Sequence, residues 1–138
     1  ADGAVRFLSK DVDPKVVEFR AYDEGVAFCY TLPAQASVRE FTIRTESTRF
    51  AFAGDHTAWT VYRAQGNYAG SEMPLSQIKP AVERPLAVRV ADDLYAAITE
   101  ARLVDYARMK LQPVTNQQHA MEVFLDAERG KHGTVTGR

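Results

Sequence analysis

Glu100 is the residue of this chain whose type and position most invite chemistry. Leu94, Ala96, Ile98 and Glu100 recur every second residue, which places all four on one face of a strand. An acid that continues an apolar face is costly to bury unless it is paired or meets a cation. Two readings stay open. The strand ends there and Glu100 reaches water, or its carboxylate is aimed at a metal or a sugar hydroxyl at a sheet rim. Hard carboxylate oxygens suit Ca²⁺. Asp105 is a second acid close by, of a type common in turns and caps.

Other reactive side chains are scattered. His56, His119 and His132 are far apart and lack metal-ligand spacing, so each reads as a solvated or structural residue. Cys29 sits among apolar strand neighbours and reads as a small packed side chain. Trp59, Tyr62 and Tyr68 flank a loop region, and aromatic faces can stack on sugar rings, although most aromatics of a small sandwich are core. The sequence contains no phosphate-binding glycine loop, no zinc-protease helix motif and no cysteine pair. No residue is assigned a catalytic or cofactor-binding role.

The elements that must position these residues follow period two. Val17, Phe19 and Ala21 share one face, Asp23–Gly25 forms a hairpin loop, and Val26, Phe28, Tyr30 and Leu32 share a face of the return strand. Further strands are predicted at Phe41–Arg44, Arg49–Ala53, Trp59–Arg63, Leu86–Val90, Leu94–Glu100 and Met121–Leu125, with a turn at Asp92–Asp93. Gln65–Lys79 reads as a long surface loop. Ala101–Leu111 fits either a short helix or a turn followed by a strand that ends before Pro113; the second suits the all-β surroundings. Gly130–Arg138 reads as an exposed turn or frayed end. Many short strands separated by turns indicate an all-β fold, an antiparallel β-sandwich or barrel.

A chain of 138 residues is the size of one domain, able to bury a core without disulfides. Lys plus Arg is 17 and Asp plus Glu is 18, for a net charge of −1, so no strong field attracts nucleic acid or an anionic membrane. No apolar run approaches the roughly 20 residues of a membrane-spanning helix.

The hairpin Val17–Tyr30 resembles that of the N-terminal domain of family 97 glycoside hydrolases. The run Tyr95–Tyr106, followed by Met109 and Leu111, is similar as well. Met73–Ile78 and Arg84–Leu86 look like family signposts in the same order. Cys29 departs from the basic residue usual at its position. The resemblance implies an antiparallel β-sandwich that is part of a galactose-mutarotase-like β-super-sandwich, so that residues 1–138 form a partial N-terminal domain without the catalytic (β/α)8 barrel. It implies a bacterial, periplasmic or secreted, calcium-dependent exo-acting α-glucosidase or α-galactosidase as the parent. The barrel would be the intramolecular partner and an α-linked oligosaccharide the substrate. The resemblance also makes Glu100 the acidic calcium ligand that the sandwich lends to the barrel. The domain alone, lacking the catalytic carboxyl pair, is expected to be inactive and prone to self-association through open strand edges. Two other readings are a free-standing carbohydrate-binding module and a purely structural interaction domain.

Overall fold

A computed structural model describes residues 16–32, 41–43, 45–62, 70–104, 106–125 and 135–137. Twelve strands occur among them, with a single 3-10 turn at Leu75–Gln77. They are β1 (Val16–Tyr22), β2 (Gly25–Thr31), β3 (Phe41–Ile43), β4 (Arg49–Ala51), β5 (Thr57–Thr60) and β6 (Ser71–Pro74). Then follow β7 (Val82–Glu83), β8 (Leu86–Ala91), β9 (Leu94–Ile98), β10 (Met109–Pro113), β11 (Ala120–Leu125) and β12 (Val135–Gly137).

Two four-stranded antiparallel sheets carry the core, one in the order β4-β11-β10-β7 and the other β6-β5-β8-β9. Alternation decides which side chains meet between them. Met109 and Leu111 of β10, and Met121, Val123 and Leu125 of β11, turn inward from the first sheet. Ala58, Leu86, Val88 and Ile98 do so from the second. Val82, Leu75 and Ile78 complete the cluster. The fold is therefore the expected antiparallel β-sandwich.

Several boundaries differ from the sequence reading, each for a physical reason. The Gln65–Lys79 stretch contains β6, which pairs with β5 at the edge of its sheet, where the terminal Pro74 is tolerated. The 3-10 turn after it is held from outside, because Asp55 accepts hydrogen bonds from the Ser76 amide (2.9 Å) and hydroxyl (2.7 Å). Those bonds hold the Asp55 carboxyl below the usual carboxylate range. Residues 101–104 and 106–108 carry no helix and lead into a strand, as expected, but β10 runs through Pro113 instead of stopping short of it. On that side β7 pairs only with Lys110 and Leu111, so the proline ring faces no strand there. Residues 135–137 are paired with β3 and do not form a free end.

The β1–β2 hairpin forms as expected, with Phe19 opposite Phe28 and Val17 opposite Tyr30, and its turn is the two residues Asp23–Glu24. Its apolar face is nevertheless open: Phe19 is 66% and Val26 68% exposed. Contact with the sandwich is made through Phe28, whose ring centroid lies 6.2 Å from that of Phe50 on β4. Cys29 is exposed, contrary to the packed position expected of it; among the described residues its hairpin is a two-stranded sheet of its own.

Candidate functional site

Glu100 lies two residues past the end of β9, where the chain leaves the second sheet to cross to β10. Its side chain is mostly withdrawn from water, 13% exposed. Oε1 accepts the backbone N–H of Met109 at 3.3 Å, which ties the crossing loop to the first residue of β10. Oε2 lies 2.6 Å from Nε of Arg84, in the turn between β7 and β8. This contact is electrostatic and is not aligned as a hydrogen bond, so Oε2 is a buried acceptor without a directed donor. The strand does end before Glu100, but the carboxylate is taken up by Met109 and Arg84 instead of standing free in solvent.

Arg84 also reaches the acid beside it in sequence. Its Nη1 is 3.4 Å from Oε2 of Glu83. Glu83 is 3% exposed, and its other oxygen faces Nη2 of Arg108 at 3.3 Å and Nζ of Lys110 at 3.5 Å. Lys110 is the cross-strand partner of Glu83 in the β7–β10 register, and Arg108 precedes it by two residues. An ionised carboxylate is tolerated at this depth because three cations surround it.

A second polar group lies on the same crossing loop. Tyr106 donates a 2.6 Å hydrogen bond to Oε2 of Glu46, and Thr48 donates one of the same length to Oε1. Thr48 Oγ1 has spent its proton on Glu46, so the Tyr30 hydroxyl, 2.8 Å away, donates to it. The chain Tyr30–Thr48–Glu46–Tyr106 ties the hairpin to the crossing loop. Burial first, and then the neighbouring Glu46, hold the Tyr106 hydroxyl well above the usual tyrosine range; Glu100 adds a smaller push in the same direction. The folded domain therefore keeps a proton that the unfolded chain releases above pH ~10. Stability from this group is fully present below that pH and falls as pH rises beyond it. Alkaline unfolding between pH 9 and pH 11.5 should thus be blunted in Tyr106→Phe relative to its own neutral-pH stability, a comparison read from urea midpoints.

Sequence reasoning reached Glu100 but missed the rest of this charged site. Glu83 lies in a two-residue strand too short for any period. Arg108, just before β10, and Lys110 within it did leave a signal, two cations alternating with Met109 and Leu111. The two described histidines, His56 and His119, lie away from Glu100. His56 packs edge-on to Phe52, with centroids 6.3 Å apart, and His119 closes the β10–β11 loop with φ of 54°. Tyr62 donates to the Met73 sulfur at 3.4 Å and serves the core, whereas Trp59 lies against Tyr95 on the outward side of the second sheet. Asp105, His132 and Tyr68 lie outside the described residues. Among the described residues, no three His, Cys, Asp or Glu side chains are grouped to hold a metal. A groove of about 430 Å³ at the far end of β10, lined by Arg49, Asn116, Gln117 and Glu122 among others, has its charges already paired, Arg49 with Glu122 at 3.2 Å.

The fold and this rim define a class: an antiparallel β-sandwich domain with two largely buried carboxylates, Glu83 and Glu100, at the rim between its sheets and exposed apolar side chains on its hairpin. Residues 4–131 match the family model described as Glycosyl-hydrolase 97 N-terminal, and the chain belongs to that family. Among solved structures, it is similar to a glycoside hydrolase family 97 enzyme from Pseudoalteromonas sp. strain K8 in complex with acarbose. The TM-score is 0.71 and the identity 30%, over 87% of this chain and 19% of that one. A variant of the Pseudoalteromonas enzyme in complex with panose matches with the same score, identity and coverage. The chain thus spans about a fifth of the length of these relatives.

Proposed function

We propose that the chain is the N-terminal sandwich of a calcium-dependent, exo-acting α-glycosidase, an α-glucosidase or α-galactosidase. In this reading it packs on a larger catalytic part and lends that part Glu100 as an acidic calcium ligand. The observation that carries the reading is Oε2 of Glu100, a buried carboxylate oxygen with no directed donor. Such an oxygen fits a hard cation. One carboxylate cannot satisfy the six to eight oxygens of Ca²⁺, so the other ligands come from water and the catalytic part. An ion held there would supply charge stabilisation to a reacting sugar oxygen. The chain's own residues would anchor the ligand: the Met109 amide holds one oxygen, and the other, 2.6 Å from Arg84 Nε in this structure, would turn to the cation.

Two further observations support the rest of the reading. The open hairpin face around Phe19 and Val26 is the kind of surface that a partner covers, and the solved relatives are about five times as long as this chain. Acarbose and panose, bound by the relatives, are α-linked oligosaccharides, which supports that substrate class. A bacterial origin and a periplasmic or secreted location belong to the same proposal, on the strength of the family resemblance.

The decisive substitution is Glu100→Gln in the full-length enzyme. It keeps the shape and the Met109 contact but removes the charge. Calcium affinity should fall by on the order of 100-fold, with activity partly restored by excess Ca²⁺. A modest loss of thermal stability is expected as well, because the Arg84 contact weakens. The melt therefore does not separate a ligand from a structural acid; the calcium titration does. An unaltered calcium response would end the reading.

A second reading, a sandwich that binds glycan through a face, has one observation in its favour. Trp59 of β5 and Tyr95 of β9 meet across β8 with ring centroids 5.8 Å apart, and Tyr95 is 59% exposed. Aromatic pairs of this kind can stack on sugar rings.

A further inference from the structure

We infer that Arg84 is a resident counter-ion of the calcium site, holding Glu100 when the ion is absent and passing to Glu83 when the ion binds. The inference rests on the reading of Glu100 as a calcium ligand and adds a device that regulates it.

The geometry places one guanidinium between two carboxylates. Arg84 Nε is 2.6 Å from Glu100 Oε2, and Arg84 Nη1 is 3.4 Å from Glu83 Oε2. The first contact is short but misaligned, and the second is long. Neither is the paired fork that arginine makes with a single carboxylate. Arg84 is thus shared, and a small shift converts one partner's gain into the other's loss.

Calcium would force that shift. Ca²⁺ takes carboxylate oxygens at about 2.3–2.6 Å. Arg84 Nε already stands at that distance from the oxygen the ion needs. A divalent ion and a guanidinium crowded on one oxygen also repel strongly where water is largely excluded. Glu83 offers the alternative berth. Its Oε1 is engaged by Arg108 and Lys110, whereas its Oε2 faces Arg84. The acid that receives Arg84 is nearly fully buried, so it gains from a closer cation. Each state then leaves both carboxylates compensated. Without calcium, Arg84 spans the pair. With calcium, the ion compensates Glu100 and Arg84 compensates Glu83. The cost is affinity, because calcium must compete with a tethered cation.

The test uses the full-length enzyme, titrated calorimetrically with Ca²⁺ alone and melted with and without it. In Arg84→Gln, calcium should bind more tightly, on the order of tenfold, the scale of a typical coupling between two ligands of one site. The melting temperature without calcium should fall, and the rise on adding calcium should exceed that of the wild type. In Glu83→Gln, the berth is weakened, so calcium should bind less tightly than in the wild type. Equal or weaker calcium binding in Arg84→Gln overturns the inference. If that variant does not fold, unchanged or tighter binding in Glu83→Gln overturns it instead. Glu100→Gln separates the two levels. Calcium binding that ignores Glu100→Gln removes the ligand reading itself. Binding that falls in Glu100→Gln without tightening in Arg84→Gln removes the counter-ion alone.

Discussion

Leu111→Ala is expected to destabilise the domain by about 2–5 kcal/mol, enough to leave a marginally stable domain largely unfolded at 37 °C. Leu111 is fully buried and lies at the middle of β10, opposite Val123 of β11 on one side and Val82 of β7 on the other. Paired strands on both flanks, and the second sheet above, hold the backbone in place. The cavity left by the lost methyl groups therefore cannot close by a local shift. A urea titration should show a lower midpoint with an unchanged slope, the sign that the native state lost stability without changing its compactness. Leu111→Met, which conserves volume, should cost less than about 1.5 kcal/mol. A cost for Leu111→Ala below that of Leu111→Met would mean that the two sheets do not pack as described.

Glu83→Ala comes next in size. It removes the carboxylate that Arg84, Arg108 and Lys110 approach within 3.3–3.5 Å, and leaves three cations converging on an apolar methyl group. Removing one partner of a buried ionic group costs about 3–5 kcal/mol; we expect the lower end, about 3 kcal/mol, because the cations are partly exposed. Added salt should recover part of the loss by screening the cations from one another. Glu83→Gln, which keeps an acceptor oxygen, should lie between wild type and alanine. A loss under about 0.5 kcal/mol for Glu83→Ala would show that the cations are fully served elsewhere and that Glu83 does not organise the site.

The largest contributors to stability were thus of two kinds, and they were unequally legible. Leu111 could be placed in a strand from its apolar neighbours and the proline beyond. Glu83 could not be placed at all. Its two-residue strand has no period, and a glutamate between Val82 and Arg84 reads locally as a solvated charge. The site at Glu100 was half legible. The alternation Leu94, Ala96, Ile98, Glu100 correctly marked an acid where an apolar side chain would be expected. It could not tell that the strand stops at Ile98, nor that the backbone of Met109 and the side chain of Arg84 take the carboxylate up.

What the sequence determined by itself was everything that depends on neighbours along the chain. Period-two alternation set the strands, turn residues such as Asp92–Asp93 and Asp23–Glu24 set the reversals, and together they set an antiparallel sandwich. The residues of Tyr95–Tyr106 carried the family. The tertiary structure decided what depends on neighbours across space. Alternation assigns side chains to two faces but does not say which face is covered, and so Phe19, Val26 and Cys29 are open while the similar pattern in β11 is buried. Charge pairing likewise depends on distance, not on order. Glu83, Glu100, Arg84, Arg108 and Lys110 span residues 83–110 and come from four segments, and only the packing of β7, β10 and the crossing loop brings them within reach of one another.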